Sequence, residues 1–211
     1  MSGSTLFGLI RHAPTRWNEE RKIQGQADSP LSEQGRALAS GWGGELASLA
    51  WQRIVCSDLG RVRETVRLLK NRLALPVTED SRLREQDWGT WTAMTLHQLK
   101  QREENILREQ ERQGWDFHPP GGESRREVLA RVLAALRDAH RAGGAERILL
   151  VCHEGVIKCL LYHLLGRKFL PEEPPVLKPF HLHLAVMEGD VLRLESLNHL
   201  PLSGAPKGGG G

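Results

Sequence analysis

The stretch Arg147-Ile148-Leu149-Leu150-Val151-Cys152-His153-Glu154-Gly155, continued by Val156 to Leu165 and stopped by Gly166, decides the fold. Arg147 to Val151 is the most hydrophobic strand-length run in the chain. It carries no polar alternation, which marks a strand buried on both faces. Val156 to Leu165 has helical length, and Gly166 is a residue type that ends helices. A doubly buried strand that passes straight into a helix belongs to a mostly parallel α/β sheet.

The rest of the chain repeats the alternation. Thr5–Ile10 is a short apolar strand, followed by a polar loop to about Leu31 and a helix from about Ser32 to Leu49, weakened by Gly41, Gly43 and Gly44. Arg53–Ser57 is another buried strand. Asp58 is placed to N-cap a helix with Val62, Val66, Leu69 and Leu73 at helical spacing. Pro76–Asp80 reads as a third strand. From Thr95 to about Gln113 a charged helix with a thin apolar stripe fits a partly exposed cap. Ser124 and Glu127 form a capping-box pattern in front of a further helix. Phe180–Met187 and Val191–Ser196 flank Glu188-Gly189-Asp190 as a terminal antiparallel hairpin. The expectation is therefore a mostly parallel α/β sheet flanked by helices on both faces, with a helical cap insertion and a C-terminal hairpin. Residues 1–203 read as one domain with its cap at about 91–122, and 204–211 as a flexible Gly-rich tail.

Composition narrows the function classes. The 211 residues are 39% hydrophobic and 26% charged, ordinary globular usage. Twenty-nine basic against 26 acidic residues leave only +3, which argues against a nucleic-acid or membrane-surface binder. The three cysteines form no CxxC pair and suit a reduced chain. No charged leader or membrane-length apolar stretch is present, so the cytoplasm is the expected location. P-loop, H-E-x-x-H and G-x-S-x-G patterns are absent, and no cofactor or metal is implied.

In open α/β sheets ligands gather beyond the carboxyl ends of the strands. Arg11 and His12 follow the first strand; Ser57, Asp58 and then Arg61 follow the second; His153 and a helix N-terminus follow the most apolar one. Two arginines, two histidines and a helix start on one edge describe an anion site. Arginine forks suit phosphate oxygens, and a neutral imidazole can attack phosphorus. Cys152 with Lys158 falls short of the C-x5-R pattern of cysteine phosphatases, because Lys lacks the two-pronged fork. His181 and His183, with His199, could be taken for a metal pair, but no third ligand has suitable spacing, and they read as surface histidines.

These residues sit in blocks with a family likeness. Leu9-Ile10-Arg11-His12-Ala13-Pro14-Thr15, Trp17-Asn18 and Arg21-Lys22-Ile23-Gln24-Gly25 open the series. Asp28-Ser29-Pro30-Leu31-Ser32, Ser57-Asp58-Leu59-Gly60-Arg61 with Thr65, and Leu83-Arg84-Glu85 with Trp88, Gly89 and Trp91 follow. Pro120-Gly121-Gly122-Glu123-Ser124 and Cys152-His153-Glu154-Gly155 complete it. In that order they resemble the histidine phosphatase superfamily, in its phosphoglycerate-mutase-like branch.

The resemblance implies that His12 is the nucleophile, that Arg11, Arg61 and His153 hold the phosphoryl oxygens, and that Glu85 is the proton donor. Asn18, Thr15, Gln24, Gly25 and Glu154 are further candidate substrate contacts. Ala13 stands where the pattern commonly has glycine, and Glu154 where it commonly has glycine or another small residue. His97, Arg102, Trp115 and His118 are the cap residues expected to meet the substrate, a small phosphorylated metabolite. Trp17, Trp88 and Trp91 are candidates for the pocket wall. The short Arg21–Gly25 loop and Gly-rich end favour hydrolysis over a mutase, with a phospho-ligand-binding pseudoenzyme as the reading from another class.

Overall fold

A computed structural model describes residues 3–143 and 146–203. The Gly-rich stretch 204–211, expected to be flexible, lies outside the described residues. Six strands form one sheet: β1 (Ser4–Arg11), β2 (Arg53–Cys56), β3 (Val77–Glu79), β4 (Glu146–Cys152), β5 (His181–Glu188) and β6 (Val191–Pro201). Their order is β3-β2-β4-β1-β5-β6. The first four run parallel, and β5 and β6 close one side antiparallel.

The apolar run of β4 feeds both faces of the sheet. Leu150 and Cys152 join Phe7, Leu9 and Val55 beneath α5 (Arg125–Gly143) and α6 (Glu154–Leu164). Leu149 and Val151 join Ile10, Ile54 and Cys56 beneath α2 (Glu33–Ala47) and α3 (Gly60–Leu69). Alternation with a period of two thus divides one strand between two cores. Truncating Leu149 or Leu150 to alanine would cost about 2–5 kcal/mol by leaving a cavity.

Register positions the functional edge. Arg11 pairs with Cys152 and Cys56 with Val151. Each ladder then runs one residue further: the His12 N–H donates to the Cys152 carbonyl at 3.0 Å and the Ser57 N–H to the Val151 carbonyl at 3.1 Å. His12, His153 and Ser57 consequently emerge side by side at the carboxyl ends of three adjacent strands.

Helix starts follow their caps, with one correction. Ser32 caps α2, and Ser124 and Glu127 form the expected capping box at the start of α5. Asp58 does not cap α3. Its carboxylate is held by Arg84 through bonds of 2.7 and 2.5 Å, and Leu59 occupies the cap position. The free amides of Gly60 and Arg61 donate instead to Asp28, at 2.6 and 3.3 Å. The helix α1 (Arg16–Glu19) and the cap helix α4 (Leu96–Arg112) complete the set. The cap insertion has its own small core of Trp91, Leu99, Leu107 and Phe117. No described helix is long and apolar enough to cross a membrane.

Candidate active site

A cavity of about 290 Å³ opens at this strand edge, with Arg11, His12, Arg61 and Glu85 among its lining residues. His12 is nearly buried, and its Nδ1 lies 2.8 Å from the Ala13 carbonyl oxygen. A carbonyl only accepts, so Nδ1 carries the proton and Nε2 keeps its lone pair. Burial, then the charges of Arg11 and Arg61, hold His12 well below the ordinary histidine pKa. The ring is therefore neutral at pH 7.

His153 is fully buried beside His12, with the two ring centroids 5.2 Å apart at 62°. Its Nε2 is 2.9 Å from Ser57 Oγ, which also accepts from the Leu59 N–H at 3.3 Å. With the serine hydroxyl donating to Nε2, the proton of a neutral His153 would reside on Nδ1. That nitrogen is buried and has no hydrogen-bond partner among the described residues. Burial, then the titration of the adjacent His12 and the charge of Arg61, lower the pKa of His153 as well.

Arg61 is also buried. It donates to the carbonyls of Gly25 at 2.7 Å and Ala27 at 2.8 Å and to Asp28 at 3.2 Å, and its Nε has no acceptor among the described residues. Gly25 adopts a φ of +53°, which turns that carbonyl onto the guanidinium. Arg11, more exposed, forms an ion pair with Glu154 at the cavity mouth.

Glu85 accepts from the Gln86 N–H at 2.8 Å and the Gly155 N–H at 3.2 Å. Burial nevertheless raises its pKa above the usual carboxylate value, against these bonds and the nearby Arg61 and Arg11. The loop that carries it is gripped from behind. Arg131 donates to the Glu85 carbonyl at 3.1 Å, to the Arg82 carbonyl at 2.6 Å, and to both oxygens of Glu123 at 2.6 and 2.8 Å. Sequence reading did not single out Arg131. Glu123 within the Pro120–Ser124 block was the signal that could have led to it.

Other expected contacts divide. Asn18, Gln24, Gly25 and Glu154 line the cavity. Thr15 does not: it is fully buried, and its hydroxyl donates to Asn18 Oδ1 at 3.0 Å. That bond, with a second from the Thr15 N–H at 3.0 Å, turns the amide of Asn18 so that its NH2 group remains free to donate. His97, Arg102, Trp115 and His118 do not line the cavity either. Trp115 donates outward to the Arg167 carbonyl at 2.7 Å, and the His118 ring bonds to the Gly122 carbonyl at 2.9 Å. Arg125, Lys158 and Phe169 stand there instead, and Trp88 is the tryptophan of the wall.

Cys152 packs inward, and burial pushes its thiol up to about 12, so no thiolate forms near neutral pH. His183 is not a surface residue but nearly buried, because β6 covers its strand, and it accepts from the Asn198 N–H at 3.0 Å. Among the described residues no group of three or more His, Cys, Asp or Glu side chains is arranged to hold a metal ion.

Residues 7–199 match the model of the histidine phosphatase superfamily, branch 1. The chain belongs to that superfamily. As a histidine phosphatase superfamily member it is 39% identical over 158 residues to a Salmonella choleraesuis protein named probable phosphoglycerate mutase GpmB, covering 75% of this chain and 74% of that one. The fold superposes on Bacillus stearothermophilus YhfR with a TM-score of 0.83 at 28% identity, over 93% of this chain and 98% of the other. Mycobacterial glucosyl-3-phosphoglycerate phosphatase Rv2419c gives 0.77 at 30% identity, over 92% and 99%. The superfamily membership makes this an enzyme of the mutase and phosphatase group.

Proposed function

We propose that the protein is a phosphomonoesterase that hydrolyses a small phosphorylated metabolite through a phosphohistidine. The observation that carries this reading is the His12 ring. Its Nδ1 proton is fixed on the Ala13 carbonyl, and its Nε2 lone pair is left to a cavity shared with Arg11 and Arg61.

Nε2 attacks phosphorus, the N–P bond forms, and the ester P–O bond breaks. Glu85 gives its proton to the departing alkoxide, so no free alkoxide has to be released. Arg11, the unpartnered Nε of Arg61 and the Nδ1–H of His153 bind the phosphoryl oxygens as charge shifts among them. Water then attacks the phosphohistidine, Glu85 takes a proton from it, and inorganic phosphate leaves with His12 restored. Asn18, Gln24, Gly25 and Glu154 are assigned to substrate binding. The chemistry uses fixed guanidinium and imidazole donors and requires no added metal ion. The substrate itself is the only partner this reading requires.

Hydrolysis is preferred over mutase transfer because a mutase must keep water from its phosphoenzyme. The exposure of the Arg11 and Glu154 side chains at the mouth, 38% and 58%, supports the reading of a cavity open to water. The relative named as a probable mutase keeps transfer as the second reading. Turnover of an aryl phosphate in chelator by the wild-type protein, and its loss in His12→Ala, tests the proposal. Equal turnover by both would refute it, and isomerisation of 3-phosphoglycerate faster than hydrolysis would favour the mutase.

A further inference from the structure

The catalytic cavity meets a neighbouring one of about 200 Å³; Arg125, Lys158 and Phe169 line both, whereas Arg11 and His12 line the catalytic cavity but not this neighbour. The two cations therefore stand where the cavities meet. Arg125 lies 4.2 Å from the Phe117 ring and 4.4 Å from the Phe169 ring, and its hydrogen bonds go to the Gly114 and Phe169 carbonyls at 2.8 and 3.4 Å. Lys158 Nζ lies over the Tyr162 and Phe169 rings at 5.2 and 5.4 Å.

Neither forms an ion pair among the described residues, although most arginines around them do. Glu111 and Glu154 act on them only through space, and Glu154 is paired with Arg11. Burial brings Arg125 down to about 10, and burial followed by Arg125 lowers Lys158. Glu111 and Glu173 line the neighbouring cavity but make no ion pair with either cation, and two like charges partly withdrawn from water without a paired carboxylate are costly unless an anion joins them. We infer that Arg125 and Lys158 form a subsite for a second anionic group on the substrate, a carboxylate or a second phosphate, presented across the cavity from the scissile phosphate. This rests on the phosphomonoester reading for the first phosphate.

Calorimetric binding of non-hydrolysable phosphonates tests the subsite without requiring turnover. The probes are ω-carboxyalkylphosphonates of increasing chain length, the matching diphosphonates, and alkylphosphonates with neutral tails. In wild type the second anion should tighten Kd by about tenfold or more at the matching length, and the better of the two anionic series identifies the group. In Lys158→Met, whose stem still covers the rings, and in Arg125→Gln, the gain should fall to about twofold or less. Arg125→Gln gives up ring packing, so Lys158→Met carries the test if that variant does not fold. Equal affinity for charged and neutral tails in wild type, or a gain that survives Lys158→Met, would overturn the inference. Aryl phosphate hydrolysis is read separately: turnover without the anion gain removes only the subsite, and an anion gain without turnover removes only the hydrolytic reading.

Discussion

The Gly155 amide, in the first turn of α6, donates to Glu85 Oε2 at 3.2 Å, and a Cβ on Gly155 would collide with Glu85 Oε1. The glycine two residues beyond the strand-end His153 thus helps to fix where the proton donor sits. Glycine is needed here for close approach rather than for a special φ. Gly155→Ala should lower kcat/KM for alkyl phosphates by about a hundredfold, the scale of a displaced catalytic group. Steady-state kinetics on alkyl and aryl phosphates would check this, with the aryl ester losing less.

Glu85→Gln should lower kcat for alkyl phosphates by about 10²–10⁴-fold, the range of general acid catalysis. Aryl phosphates, whose leaving group needs little protonation, should lose far less in the first step. The wild-type rate should also fall as pH rises through the elevated pKa of Glu85, because the donor must be protonated. A pH profile of both variants on both substrates decides it; an equal loss on the two esters speaks against the assignment.

Glu123→Gln should act through Arg131 on the Glu85 loop. Weakening a charge-assisted pair that is largely enclosed costs about 1–3 kcal/mol of stability. Its specific signature is a displaced alkaline limb in the pH profile, which a purely structural loss would not produce. Glu123→Asp should restore the limb in part.

Removing the carboxylate at the mouth should free Arg11. Glu154→Gln takes a negative charge away from the phosphate site, and inorganic phosphate should inhibit this variant several-fold more tightly, about 2–10-fold given the exposure of the pair. Unchanged inhibition would show that Glu154 does not compete for Arg11.

Acid should destabilise the fold through its buried histidines. His183 is lowered from 6.5 to about 4, so protonating it in the folded state costs about 3 kcal/mol more than in the unfolded chain. Its contribution is complete above pH 6.5 and is lost as pH falls towards 4. His12 and His153 add in the same direction, and Glu85, with a raised pKa, acts oppositely above its ordinary value. Urea unfolding at pH 7 and 4.5 should show a smaller loss in His183→Asn, whose amide oxygen replaces the Nδ1 acceptor.

The strands were legible because buried runs such as Arg147–Val151 have no other economical place in a sheet, and their ends then located Arg11, His12 and His153. The failures share a cause. Asp58 has the composition of a cap, but only three-dimensional packing shows that Arg84 takes its carboxylate while Asp28 serves α3. Thr15 and Asn18 lie in one matching block, and a capping box at α1 turns one inward while the other faces the cavity. His97 and His118 have the residue type of a substrate contact, but the cavity faces the start of α5 and the face of α6 that carries Gly155 and Lys158, an orientation no spacing rule supplies.

Phosphoenzyme trapping tests the central claim most directly. Wild type quenched during turnover of a labelled phosphomonoester should yield a phosphopeptide containing His12, stable to alkali and lost in acid, and His12→Ala should yield none. Label on another residue, or equal label in the two proteins, would contradict it.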